Sequence, residues 1–186
     1  MDNRIGLHPE KWVNVYGDLL YAYTVVRVKD KPAAEDIVQE TFLSAWKSRA
    51  GYQGQASEKN WLFAICKNKI IDFFRRQSSG MARLVTREED AYFNSADHWT
   101  SATRPNEWGI DYSQPLDRPE FYSMLHQCQQ KLNTLQQSVF VLKYMEELAS
   151  EEICKVLAIE PSYYWVLMHR AKLHLRKCLE KNWINR

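Results

Sequence analysis

An all-α fold, divided into two small helical domains on a flexible linker, is predicted by three features of this chain of 186 residues. Glycine and proline are scarce, six of each, while Leu, Ala, Glu, Lys, Arg and Gln fill long stretches, which favours helix over sheet. Apolar residues recur with a period near 3.6 both before residue 80 and after residue 118. From Ser78 to about Arg118 that period fades, and Ser, Thr, Asn, Asp and the prolines Pro105, Pro115 and Pro119 gather around Trp99 and Trp108. A structureless stretch this long does not belong inside one compact domain, so the expected division is 1–80, 81–118 and 119–186.

Each helix has its own signature. Trp12–Val28 carries apolar and aromatic residues at helical spacing, and Asp30-Lys31-Pro32 ends it, with the proline placed to begin a second helix. In the second, Ile37, Val38, Thr41, Phe42 and Ala45 form the inward stripe, leaving Glu35, Asp36, Gln39 and Glu40 as an exposed acidic face. Gly51–Gln55 breaks the pattern, and Ser57 is placed to cap a third helix from about Glu58 to Gln77. Leu62, Cys66, Ile70 and Phe73 share its inner side, with Trp61 and Ile65 beside them, and Asn68, Asp72, Arg75 and Arg76 collect opposite. Beyond the linker, Phe121–Leu132 repeats apolar residues at helical intervals, and Asn133-Thr134 caps Leu135–Glu146. A short helix, Glu151–Leu157, and a longer one from about Ser162 to Lys181 follow, joined by Ala158-Ile159-Glu160-Pro161, a length suited to a helix-turn-helix.

The net charge of +2 hides an uneven distribution. Lys67, Lys69, Arg75 and Arg76 face a single acid, Asp72, and Arg170, Lys172, Arg176, Lys177, Lys181 and Arg186 face only Glu180. Two basic units flanking an acidic connector suit a polyanionic partner. Cys66, Cys128, Cys154 and Cys178 lie far apart with no CxxC pair and no His-rich partner, so they are expected as buried free thiols, with no metal or other cofactor. The N-terminus lacks a basic segment followed by an apolar core, and no run reaches membrane-spanning length, so a cytoplasmic protein without membrane insertion is expected.

Three blocks, AAEDIVQETFLSAW, NWLFAICKNKIIDFFRR and LNTLQQSVFVLKYMEELASEEICKVLAI…HRAKLHLRKCL, together resemble the extracytoplasmic-function (group IV) sigma factors of the bacterial sigma-70 family. They occur in the family's order and span nearly the whole chain. The resemblance implies sigma region 2, of three to four helices, in the first two blocks and the region 4 helix-turn-helix in the last. It also implies an alternative sigma factor that binds core RNA polymerase and promoter DNA, with an anti-sigma factor as a further partner.

Roles follow where the motif matches. The resemblance implies that Asp36, Gln39 and Glu40 dock on polymerase; read from the residues alone, they are a solvated helix face. It places Tyr52, Ser57, Lys67, Asn68, Asp72, Arg75 and Arg76 at the −10 element, where a cationic track holds phosphates and flat or polar groups receive unstacked bases. Trp61, beside Leu62 and Ile65, reads as core. At the −35 element it places Ser162, Tyr163, Trp165, Val166, His169, Arg170, Lys172 and Arg176, outward from an inward stripe of Tyr164, Met168, Ala171 and Leu175. The chain departs from the family at Trp165, Val166 and Leu167, where small polar and basic residues are usual. Tyr163, Trp165 and Val166 therefore have two readings of equal weight: apolar contact with thymine methyls, or packing against a protein.

Other classes account for less. Asp36, Glu40 and Asp72 could be nominated as metal ligands of a nuclease or hydrolase, but they lie on separate helices with neither a histidine nor a phosphate loop. An ordinary helix-turn-helix regulator or helical adaptor explains the C-terminal half and gives no reason for the first two blocks. No catalysis is required.

Overall fold

The computed structural model describes residues 7–79 and 119–184. The acidic linker expected at 81–118, with Trp99 and Trp108, lies outside the described residues, as does Arg186. The described residues form seven α-helices without a strand: α1 Trp12–Val28, α2 Lys31–Ser48, α3 Glu58–Ser79, α4 Pro119–Gln129, α5 Thr134–Tyr144, α6 Ser150–Leu157 and α7 Pro161–Leu179.

Local chemistry sets the borders. Lys29 closes α1 in the left-handed region at φ 61°, and Asp30 caps α2 by accepting from the Ala33 amide at 3.1 Å. Ser57 Oγ accepts from the Asn60 amide at 3.2 Å and starts α3, and Asn133 Oδ1 does the same for α5 through the Gln136 amide at 2.9 Å. Ala158, left-handed at φ 52°, ends α6 at the turn into α7. Pro161 then opens α7 where no backbone donor is needed.

α1, α2 and α3 pack on one another over Leu20, Ala34, Ile37, Cys66 and Ile70. Trp12, Ala45 and Leu62 close the end of this bundle, with Trp61 half-buried against Trp12 at its edge. The inner stripe of α3 is Leu62, Cys66, Ile70 and Phe74, each at most 1 % exposed; Phe74 takes the place expected of Phe73. A stripe advancing by four residues at each step selects Phe74 after Ile70, while the half-buried Phe73 meets it edge-on at 5.5 Å. In the C-terminal half Tyr164, Met168, Ala171 and Leu175 are buried as the periodicity requires. Cys128 of α4 and Cys178 of α7 form a disulfide, which corrects the expectation of free thiols for these two. Facing helices bring them to a Cα separation of 5.7 Å, within disulfide reach, although 50 positions separate them in sequence. Cys66 and Cys154 are free, and burial pushes both thiols up.

The two halves touch. One apolar cluster runs from Leu20, Ile37 and Ile70 to Val139, Leu142, Ile153 and Leu157, and α3 lies against α5 and α6.

Candidate nucleic-acid and polymerase interface

α2 offers a continuous outer face. Asp36 and Gln39 are exposed, and Leu43 and Trp46, on the same face at helical spacing, are 54 % and 49 % exposed. The Arg49 guanidinium lies 3.8 Å from the centre of the Trp46 ring. Sequence reasoning found the acidic part of this face and missed Leu43 and Trp46; the available signal was their position off the buried stripe. Glu40 turns elsewhere. Its carboxylate meets Lys69 at 3.5 Å and Arg76 at 3.9 Å, joining α2 to the basic side of α3.

The α3 residues expected at the −10 element divide into two groups. Asn68, Arg75 and Arg76 are exposed along one side, with Asp72 half-buried between them and accepting from Arg75 Nη1 at 2.6 Å. Lys67 points away from this group: its ammonium donates to the backbone carbonyl of Glu146 at 2.6 Å. Tyr52 packs its ring 5.1 Å from that of Trp61, and its hydroxyl donates to the Ala56 carbonyl, which folds the Tyr52–Ser57 loop over the start of α3. Ser57 is exposed, but its hydroxyl oxygen serves as the cap.

A carboxylate that the sequence did not single out organises this end of the bundle. Glu58 accepts from the His8 amide and Trp12 Nε1, both at 2.6 Å, and from the Tyr16 hydroxyl at 3.2 Å. Burial alone would raise its pKa, but the three donors outweigh burial and hold the carboxyl below its ordinary value. Its only sequence signal was an acid in the first turn of a helix, where the helix dipole already favours one.

On α7, Ser162, His169 and Lys172 are exposed, Tyr163, Arg170 and Arg176 are half-buried, and Arg176 Nε meets Glu180 at 2.8 Å. Trp165 and Val166 stand out at 63 % and 40 % exposed. Ser162, Trp165, Val166, His169 and Lys172 therefore share the solvent side of the second helix of a helix-turn-helix, while Tyr163 packs partly against the apolar core. Among the described residues no cluster of His, Cys, Asp and Glu could hold a metal ion, and no helix is long and apolar enough to cross a membrane.

A second missed carboxylate joins the halves. Glu146, in the bend between α5 and α6, has a fully buried side chain. It accepts from Arg27 Nε at 2.6 Å and from the Tyr23 hydroxyl at 3.1 Å, and Lys67 Nζ stands 4.0 Å from its carboxylate. Burial first, and then the Glu146 charge, push the Tyr23 hydroxyl up to about 12, so it remains a donor.

Residues 12–80 match Sigma-70 region 2, and residues 122–175 match Sigma-70, region 4. A probable RNA polymerase sigma factor of Haemophilus influenzae is 32% identical over 180 residues, covering 91% of this chain and 92% of that protein. The ECF RNA polymerase sigma factor SigX of Bacillus subtilis is 28% identical over 167 residues, 90% of this chain and 81% of that one. The RNA polymerase sigma factor YlaC of the same organism is 29% identical over 163 residues, 86% and 85%. With two bundles in the order region 2 then region 4, and with full-length relatives of one kind, this chain belongs to the extracytoplasmic-function group of the sigma-70 family.

Proposed function

We propose that this chain acts as an alternative sigma factor in the cytoplasm, directing core RNA polymerase to its promoters without catalysis or a cofactor of its own. The division of labour is 1–80 for polymerase and the −10 element, 81–118 as an acidic tether, and 119–186 for the −35 element. The observation that carries this reading is the pairing of two faces on one small bundle. Asp36, Gln39, Leu43 and Trp46 make an acidic and apolar docking stripe on α2, and Asn68, Arg75 and Arg76 make a cationic, polar track on α3. The stripe suits a basic or mixed helical surface on polymerase, and the track suits an unpaired strand that presents phosphates and base edges. α7 lies in the major groove of the −35 element, with Ser162, Tyr163, Trp165 and Val166 toward the bases and His169, Arg170, Lys172 and Arg176 along the backbone.

A second use of α7 rests on Trp165 and Val166, which are apolar and exposed at the place where a duplex reader ordinarily carries polar groups. An anti-sigma factor covering them would hold the chain inactive.

Reconstituted transcription with core polymerase tests the assignment. Replacing Asn68, or Arg75 and Arg76 together, is expected to lower open-complex formation about tenfold or more while polymerase binding changes little. Replacing Asp36 or Gln39 is expected to do the reverse. Equal small effects from both sets would overturn the residue roles, and failure to bind core polymerase at low salt would overturn the function.

A further inference from the structure

We infer that the free chain is self-closed: the α5–α6 bend of region 4 locks onto α1 and α3 through Glu146 and withholds Lys67 from DNA until the lock opens. This rests on the sigma-factor reading, because the residue withheld belongs to the proposed −10 track.

Four contacts make the lock, and all cross between the halves. Arg27 grips the Glu146 carboxylate at 2.6 Å, and the Tyr23 hydroxyl reaches the same group at 3.1 Å. Lys67 takes the Glu146 carbonyl at 2.6 Å, and the Gln137 amide donates to the Arg27 carbonyl at 2.9 Å. At the margin, Lys29 Nζ donates to the Leu132 carbonyl at 3.4 Å. The Glu146 side chain is fully buried and that of Arg27 is 13 % exposed, so the pair is shielded from water and salt on the closed side.

The chemistry of this seam differs from that of a permanent core. A buried ion pair gives up hydration nearly as large as the attraction it gains, so it fixes one docking register while adding modest net stability. Both carboxylate oxygens and the backbone carbonyl are satisfied in the closed form, and both charged groups return to water when it opens. Such a seam can yield to a partner that binds either half more tightly when the two are apart. Lys67 is the element it shares with function, since an ammonium anchored on the Glu146 carbonyl is turned away from the side of α3 that carries Asn68, Arg75 and Arg76.

The test uses the full chain with native and substituted residues: Glu146→Gln, Arg27→Gln and Tyr23→Phe. The last is the mildest, because its ring keeps the edge contact with Phe63 at 5.2 Å and the Arg27 guanidinium above it. Small-angle scattering reads closure. Binding of the polymerase-free chain to a fluorescent mixed-sequence single strand of about 20 nucleotides reads access to the −10 track. Glu146→Gln and Arg27→Gln are expected to enlarge the particle and to raise oligonucleotide affinity about fivefold, and Tyr23→Phe to raise it about twofold, because opening a mostly closed population restores the fraction that was hidden. Affinity for core polymerase should rise or stay constant in all three. Unchanged scattering and unchanged oligonucleotide affinity, in variants whose helicity is intact, overturn the closure even if polymerase binding is normal. If Glu146→Gln and Arg27→Gln lose helicity, Tyr23→Phe alone decides by the same two readouts. Loss of polymerase binding by the native chain overturns the sigma reading instead, and scattering still reports on the lock.

Discussion

The two halves of the chain close their bundles with different bonds. In the first, a single carboxylate, Glu58, gathers the His8 amide, the Trp12 indole and the Tyr16 hydroxyl, pinning the segment before α1 to the start of α3. In the second, α4 leans chiefly on α7 and the turn that follows it, and its attachment is covalent, Cys128 to Cys178. The lesson is that acid loosens one half and reductant the other. Their outer faces differ as well. Along α3 the carboxylates of Glu40, reaching from α2, and of Asp72 stand against Lys69, Arg75 and Arg76, so DNA must exchange with these acids. At the start of α7 the surface offered is Trp165 and Val166, which carry no charge to exchange.

Reduction should give the largest effect. Opening a cross-link that spans 50 positions is expected to cost the C-terminal half up to about 4 kcal/mol by chain entropy. Denaturant unfolding with and without reductant measures it, and amide exchange should locate the loss in α4 and α7. An unaltered α4 after reduction, or in Cys178→Ser, would erase the covalent side of the comparison. Next comes Glu58→Gln, expected to destabilise the N-terminal bundle by about 2 kcal/mol at neutral pH, since a charged acceptor of several hydrogen bonds is lost. The sign with pH follows from the lowered carboxyl: its contribution is complete above the ordinary Glu pKa and disappears as pH falls through the folded value. The native chain should therefore lose stability on acidification more steeply than Glu58→Gln, and parallel curves would refute the clamp.

Trp165→Ala sharpens the contrast between outer faces. It should weaken binding to −35 duplex about fivefold without changing the slope against salt, whereas Lys172→Ala should reduce that slope by about one. A Trp165→Ala chain that binds duplex normally leaves the exposed ring to a protein partner. The smallest effect expected is a gain: Ala158, left-handed at φ 52°, should yield about 1 kcal/mol of added stability to the C-terminal half when replaced by glycine, read as a higher midpoint.

Much of this architecture is written in local pattern. The caps at Ser57 and Asn133, the stripe of α2 and that of α7 each depend on residues within a few positions of one another, which is the range over which periodicity and capping act. Phe73 and Phe74 show the limit of that reading, because adjacent aromatics fit one stripe equally until the helix phase is fixed. The disulfide and the Glu146 lock were illegible for another reason. Cys128 meets Cys178, and Glu146 meets Tyr23 and Arg27, only after whole helices have packed, and nothing near Glu146 marks it as other than an acid at the end of a helix. At the candidate site the residue types were legible, but their allegiances were not. Lys67 and Glu40 are spoken for by partners far away in sequence, whereas Asp36 and Asn68 remain exposed as expected.

Lys29 carries a chemical consequence of the same seam. Burial lowers its ammonium pKa to about 8, so in mildly alkaline solution its amine has a free lone pair while ordinary lysines remain protonated. An acylating reagent at limiting dose should mark Lys29 out of proportion to its half-buried surface. That preference should fade to the level of other lysines once the halves separate and water returns, giving a footprint of the resting shape readable by mass spectrometry of the native protein.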